Sequence, residues 1–156
     1  MPNENPVTGY NILHDPRLNR GTAFSEAERR THGLEGLLPP VVSALTLQVA
    51  RVHTELANLD KDLQKHLLLS ALQARNETLF YAVLMSDPAA LMPLVYTPTV
   101  GEACQKFNRI FHAARGLYLP ISARDRLPEI LSNWPQKDVR FIVVTDGERI
   151  LRSGSG

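Results

Sequence analysis

The feature that most constrains the fold is a run from about residue 43 to residue 112 in which apolar side chains recur every three or four positions. This spacing places them on one face of each successive helix, so the run predicts a packed helical unit. Asp60 is the expected cap of the second helix, the segment 73–78 interrupts the pattern, and Asp87-Pro88 should end the third helix. The periodic residues are Leu45, Val49, Val52, Leu56, Leu59, Leu63, Leu67, Leu68, Ala71, Leu72, Leu79, Phe80, Val83 and Leu84.

The segment before this run has weaker signals. Residues 1–8, with two prolines among polar side chains, should form a mobile arm. Residues 9–21 show no clear period and are expected to run extended over a surface. Ser25 and Glu28 have the spacing of a capping box, which predicts a short helix over Glu26–His32 that stops at the glycine after it.

Two prolines bracket Tyr96, and the stretch between them is the strongest candidate for a functional site. Pro93 and Pro98 each fix their own φ and push the preceding residue towards extended geometry, so residues 94–97 should be stiff and non-helical. Thr99 is the expected cap of a following helix, and Tyr96 would then lie beside a helix N-terminus that favours an anion. A partly buried core tyrosine in a proline-rich turn is the alternative interpretation.

The helical period is lost after Gly116. Residues 117–121 are typical of a short strand, a short helix should follow around 127–131, and the β-branched run 139–144 is typical of a strand in a parallel sheet. Two strands do not make a stable sheet, so this βαβ unit needs partner strands. The predicted fold class is therefore α/β but mostly helical: an N-terminal helical unit followed by a small, incomplete parallel βαβ.

Charge and cysteine content exclude several classes of protein. The net charge is +1 with both signs interspersed, which gives no footprint for nucleic acid or for an anionic membrane surface. No apolar run approaches the roughly 20 residues of a membrane span. Cys104, the single cysteine, cannot form an internal disulfide, and its place on an apolar stripe predicts a buried thiol. With no signal-peptide pattern at the N-terminus, these features predict a cytoplasmic protein.

Two motifs carry a family resemblance. The sequence Tyr-Thr-Pro-Thr-Val-Gly at 96–101, with Thr-Asp-Gly-Glu-Arg-Ile-Leu at 145–151, resembles the N-terminal part of malic enzymes, and the likeness covers about residues 9–151. The resemblance implies an enzyme that oxidises malate at C2 with NAD or NADP and Mg²⁺ or Mn²⁺, decarboxylates the keto acid, and protonates the enolpyruvate to pyruvate. It assigns Tyr96 as the general acid for that proton and Arg149 as a ligand of the malate carboxylate. Taken alone, the second motif is more typical of a polar turn, although the planar guanidinium of Arg149 suits a carboxylate.

The resemblance also implies parts that this sequence lacks. The family continues with Ile-Leu-Gly-Leu-Gly-Asp where residues 150–156 read Ile-Leu-Arg-Ser-Gly-Ser-Gly. The family's catalytic lysine, its acidic metal ligands and its dinucleotide-binding domain have no counterpart, and no GxGxxG occurs. We therefore expect the isolated chain to be inactive, with no cofactor bound and no metal ligands of its own. The expected domains are the arm at 1–8, the helical malic-enzyme-like domain at 9–115, the start of the βαβ substrate domain at 116–151, and a linker or appended tail at 152–156.

Arg51 and Arg75 form a third constellation. They lie on successive helical stretches, and some malic enzymes hold an activating dicarboxylate with arginines at matching positions; surface salt bridges are the alternative. Subunits in the family pair largely through the helical part, which makes a homodimer the expected assembly. Two other functions stay open from the sequence: a stand-alone dicarboxylate-binding regulatory module, and a dimerisation domain without a ligand.

Overall fold

A computed structural model describes residues 9–110, 116–136 and 138–145, and this part of the chain is mostly helical, as predicted. The chain divides into two compact units, Met1–Ile110 and Phe111–Gly156. The first contains α1 (Tyr10–His14), α2 (Glu26–His32), α3 (Leu45–Ala57), α4 (Asp62–Arg75), α5 (Glu77–Ser86), α6 (Pro88–Val95), α7 (Thr99–Gln105) and α8 (Phe107–Ile110), with a 3₁₀ turn at Gly21–Ala23. The second contains a 3₁₀ turn at Ile121–Arg126 and α9 (Leu127–Ser132).

Local capping explains α2, whose predicted bounds are confirmed. The Ser25 hydroxyl accepts a hydrogen bond from the Glu28 N–H, and the Glu28 carboxylate accepts one from the Ser25 N–H at 2.8 Å. That backbone bond, with a second bond from Arg20, lowers the pKa of Glu28 to about 2. Gly33 ends the helix in the left-handed conformation at φ 67°. By contrast, the expectation of an extended segment at 9–21 is wrong at α1, where burial of Ile12 stabilises five helical residues.

The core of the first unit lies between α3, α4, α5 and α6. Helix α5 packs against α3 and α4, and α4 packs in turn against α6 and α7. Helix α4 therefore contacts each of the three helices that follow it, α5, α6 and α7. The core side chains are Val52, Leu56, Leu69, Leu72, Leu79, Phe80, Val83, Leu91 and Leu94. All of them except Leu69, Leu91 and Leu94 were among the periodic positions of the sequence.

The interruption predicted at 73–78 is a break between two helices, and Asn76 caps both. Its N–H donates to the Leu72 carbonyl at 2.7 Å, which satisfies the end of α4, and its side-chain oxygen accepts from the Leu79 N–H at 2.9 Å, which begins α5. The buried Asn19 holds the same junction by donating to the Arg75 carbonyl at 2.9 Å. The break is therefore fixed by hydrogen bonds on both sides. Asp60 is not a cap, because α4 begins one residue later, after Lys61.

Helix α6 corrects the prediction that residues 94–97 are non-helical. Asp87 caps this helix by accepting from the Ala90 N–H at 3.1 Å, and the helix continues through Pro93 to Val95. Proline inside a helix removes one backbone hydrogen bond. Burial of Leu91 and Leu94 in the core accounts for the helix persisting in spite of that loss. Residues 94 and 95 are therefore helical, and only residues 96 and 97 lie outside α6 and α7.

The two strands of the predicted βαβ are not formed in the described residues of the second unit, although its short helix is present as α9. Residues 117–120 and 138–145 have no regular secondary structure. A strand is stabilised by hydrogen bonds to a neighbouring strand, and the described part of the chain offers none. As a result, the apolar side chains of Phe141, Ile142, Val143 and Val144 are between 77% and 92% exposed.

Two further features concern the surface. Cys104 is exposed, so the predicted buried thiol is wrong; α7 instead buries Thr99 and Ala103, which lie on its other side. None of the helices in the described ranges has the length and apolar character that a bilayer crossing requires.

Candidate functional site

Tyr96 occupies the joint between α6 and α7. It is the C-cap of α6, with extended backbone at φ −129° and ψ −153°. Its N–H donates to the Met92 carbonyl at 2.9 Å, and its carbonyl accepts from the Val100 N–H at 2.9 Å. The next peptide, Thr97–Pro98, is cis. The backbone of this tyrosine is thus bonded to a helix on each side, while its side chain is 63% exposed.

The hydroxyl of Tyr96 has no hydrogen-bond partner in the described part of the chain. A fixed backbone with a free, exposed hydroxyl can exchange a proton with a ligand that approaches from outside this unit. A core tyrosine would be buried, so the exposure of this side chain argues against that interpretation. The role of Tyr96 as a general acid stays a prediction.

The start of α7 offers fewer free donors to an anion than the sequence predicted. The N–H of Val100 donates to Tyr96, and the N–H of Gly101 donates to the Pro98 carbonyl at 3.0 Å, so both amides are already used within the chain. The acidic side chain of Glu102 also lies in this first turn, where it pairs with Lys106. These bonds leave fewer unpaired N–H groups for an anion at this helix start, and the carboxylate of Glu102 opposes one. The helix begins at Thr99, with Pro98 in the cap position that the sequence assigned to Thr99.

One contact near Tyr96 was not predicted at all. His66, on α4, bonds through Nδ1 to the carbonyl of Leu94 at 2.8 Å, two residues before the tyrosine. A carbonyl oxygen can only accept, so Nδ1 carries the hydrogen. The sequence does hold a partial signal. The residue four after Leu94 is Pro98, which has no N–H to offer that carbonyl, so a donor from elsewhere is needed.

The predicted arginines fall into two groups. Arg149 lies outside the described residues. Arg51 and Arg75 are both exposed, one in the middle of α3 and one at the end of α4, and both helices pack against α5. Within the ranges that the structure describes, neither guanidinium has an ion-pair partner, so surface salt bridges do not account for them there.

Clusters of possible metal ligands are not found in the part of the chain that the structure describes. No group of three or more His, Cys, Asp or Glu side chains lies close enough there to hold an ion. A half-open depression of about 610 Å³ is lined in part by Glu26, Arg30 and Glu35. Its lining does not include the tyrosine.

Comparison with known proteins identifies the family to which this chain is similar. A family model described as malic enzyme, N-terminal domain, matches residues 73–155. NADP-dependent malic enzyme 1 of Arabidopsis thaliana is 50% identical over 147 residues, which are 94% of this chain and 25% of the relative. Chloroplastic NADP-dependent malic enzymes of Flaveria pringlei and Solanum lycopersicum are 50% and 48% identical over 148 residues, 95% of this chain and 23% and 26% of theirs. The chain spans about a quarter of the length of these relatives.

The same comparison corrects the predicted location. The cytoplasmic assignment is wrong, because the relatives from Flaveria pringlei and Solanum lycopersicum are chloroplastic enzymes. The prediction rested on a single cysteine and on the lack of a secretory pattern. Both features argue against an oxidising, secreted location, and neither separates one reducing compartment from another.

Proposed function

The chain belongs to the malic enzyme family, and on that premise we propose that it is the N-terminal part of an enzyme that converts malate to pyruvate and CO₂ with NADP. The observation that carries this proposal is the geometry of Tyr96: an exposed hydroxyl without a partner in the described residues, on a backbone bonded at both ends. The relatives are NADP-dependent by name, which favours NADP over NAD.

In this proposal Tyr96 donates the proton that turns enolpyruvate into pyruvate. Oxidation at C2, with NADP as the hydride acceptor and with the C2 hydroxyl proton passing to a base, would give a β-keto acid, and its loss of CO₂ would leave an enolate. The phenol then delivers its proton to C3, and the methyl group of pyruvate is complete. Arg149 would bind a malate carboxylate through two parallel N–H bonds and so hold C3 near the phenol.

The remaining parts of the site would come from beyond residue 151. NADP supplies the hydride acceptor, and Mg²⁺ or Mn²⁺ supplies a Lewis acid for the carbonyl of the keto acid. The described residues hold no cluster of metal ligands, so we assign neither group to them. This division is why we propose that residues 1–156 alone are inactive.

We also propose that the second unit is the start of a sheet. The run 139–144 is apolar and β-branched, and its exposure is what a strand shows before its neighbours are in place. Pairing with later strands would complete the βαβ at 116–151 and bury Phe141 to Val144. The helical domain, 9–115, would precede it, the arm would be 1–8, and 152–156 would be a linker.

The experiment that tests the function compares two lengths of the protein. Malate-dependent formation of NADPH and NADH, with Mg²⁺ or Mn²⁺, is measured on residues 1–156 and on the chain extended through its natural reading frame. We expect activity in the extended form only, with NADPH formed in preference to NADH. Activity in the short form would contradict our placing of metal and cofactor. An inactive but folded extended protein would exclude the enzyme and favour a binding module.

We propose a second role for Arg51 and Arg75, which is to bind a dicarboxylate effector. Their lack of ion-pair partners in the described residues favours this role over salt bridges. Calorimetric titration of fumarate and malate into residues 1–156 should give heat above dilution. Arg51→Gln and Arg75→Gln should each abolish it, whereas Arg109→Gln, at an exposed arginine of α8, should not. The absence of heat with the unsubstituted chain would leave dimerisation through the helical part as its role.

A further inference from the structure

We propose that His66 is a positioning residue for Tyr96: it holds the last turn of α6, and through it the direction in which the phenol points. The inference rests on the proposed role of Tyr96 as a proton donor. It starts from a hydrogen bond that the backbone itself cannot make.

The last turn of α6 has an orphan acceptor at Leu94. In a helix each carbonyl accepts from the N–H four residues later, and the last four carbonyls of any helix lack that partner. For Leu94 the fourth residue is Pro98, which has no N–H at all. Leu94 is itself 8% exposed, so its peptide lies at the edge of the core, where an unpaired acceptor is costly.

His66 supplies the missing donor. Its Nδ1–H lies 2.8 Å from the Leu94 oxygen, the length of a good hydrogen bond. The ring is half-buried on α4, and its other nitrogen lies 3.4 Å from the Ser70 hydroxyl, one turn along the same helix. Because Nδ1 is bound to a carbonyl, Nε2 of the neutral ring can accept from that hydroxyl. Both nitrogens therefore have a partner, which restricts rotation of the ring.

The contact is placed to act on Tyr96 in particular. Helix α4 packs against α6 and α7, the two helices that the tyrosine joins. The Leu94 carbonyl lies between the Met92 carbonyl, which binds the Tyr96 N–H, and the tyrosine itself. Rotation of the Leu94 peptide towards water would turn the Val95 and Tyr96 peptides with it, because they follow it directly in the chain. The phenol would then move off the line to C3 of the enolate while the core helices stay in place.

The first test is made on residues 1–156 by amide hydrogen exchange. His66→Phe keeps a planar ring and removes both nitrogens. We expect exchange of the Tyr96 N–H to become about fivefold to tenfold faster, the effect of losing one net hydrogen bond. Exchange of the Leu69 and Val83 amides, at fully buried positions, should change less than twofold. His66→Asn, whose amide N–H lies where Nδ1 lay, should restore slow exchange at Tyr96.

A matched control separates this contact from the loss of any histidine. His53 on α3 also bonds through a ring nitrogen, to the Ser86 hydroxyl at 2.7 Å, and it does not touch the last turn of α6 in any bond of the described residues. His53→Phe should leave exchange at Tyr96 unchanged. Equal acceleration at Tyr96 and in the core, or failure of His66→Phe to fold, would show that His66 holds the whole unit and would overturn the inference.

The second test measures catalysis in the chain extended through its natural frame. His66→Phe should lower kcat about tenfold or more, since misplacing a catalytic group by about an ångström is enough for this. The KM for malate should change less than twofold, because Tyr96 acts after malate is bound. In a Tyr96→Phe background, His66→Phe should have no further effect on kcat, since both changes remove the same proton donor.

The outcomes distinguish failure of this inference from failure of the proposed function. Where Tyr96→Phe lowers kcat and His66→Phe does not, Tyr96 is the proton donor and His66 does not position it. Where Tyr96→Phe itself leaves kcat unchanged, the proposed role of Tyr96 as proton donor fails, and a selective change in amide exchange would still show that His66 fixes the end of α6. If the double variant lowers kcat by the product of the two single effects, His66 and Tyr96 act independently, and the positioning role is overturned.

Discussion

Tyr96→Phe, made in the enzyme extended through its natural frame, should lower kcat for pyruvate formation about 10²- to 10⁴-fold, the range that a positioned general acid contributes. The ring remains and only the hydroxyl is lost, so the enolate has no proton donor at C3. The fold should be unaffected, because the backbone bonds of Tyr96 do not involve the phenol and the side chain is 63% exposed.

The measurement is designed around the proton step. Turnover of malate gives kcat and KM, and proton NMR in D₂O follows the exchange of the pyruvate methyl hydrogens, which is the same proton transfer in reverse. Both rates should fall together in Tyr96→Phe, and KM should change little. Tyr10→Phe is the matched control, since Tyr10 is 64% exposed and lies on α1. Methyl exchange at the unsubstituted rate in Tyr96→Phe would remove the tyrosine from this role.

The sequence predicts those parts of the fold that depend on neighbouring residues. Helix α2 is correct to the residue because its start, Ser25 with Glu28, and its stop, Gly33, act within one turn. The break at Asn76 and the helical pattern of α3 to α5 follow from the same short-range rules. The identity of Tyr96 as a candidate came from its motif, which is also local. In these places the residues that decide the structure are adjacent in the sequence.

What the sequence could not predict depends on contacts distant along the chain. Pro93 and Pro98 predicted a non-helical segment at 94–97, and burial of Leu94 against other helices outweighed the effect of Pro93. The bond from His66 joins residues 28 positions apart, and proline chemistry reveals the need for a donor but not which residue supplies it. The strand predicted at 139–144 is not formed in the described residues for the same reason, since a strand needs partner strands that these residues do not include.

The buried Arg29 shows this limit most clearly and gives the second large expected effect, which is on stability. It is 5% exposed, on α2, although the helical pattern offers no reason to bury a charge. All five N–H groups of its guanidinium donate to backbone carbonyls in the turns on either side of α2, so no carboxylate is needed. The acceptors are Phe24 at 2.9 Å, Pro39 at 2.7 Å, Pro40 at 3.2 Å, Thr22 at 3.2 Å and Val41 at 3.4 Å.

Arg29→Met should therefore lower the free energy of unfolding of residues 1–156 by about 2–4 kcal/mol, measured by urea unfolding with circular dichroism at 222 nm. The methionine fills the volume of the side-chain stem but leaves several half-buried carbonyls without donors. Arg29→Lys should recover only part of the loss, because a single ammonium has three donors and cannot reach both turns. Arg30→Met, at the exposed neighbour on the same helix, should cost no more than about 0.5 kcal/mol. The prediction is contradicted if the two methionine variants unfold at the same urea concentration. In that case water replaces the hydrogen bonds of the guanidinium at no cost, and Arg29 does not stabilise the turns.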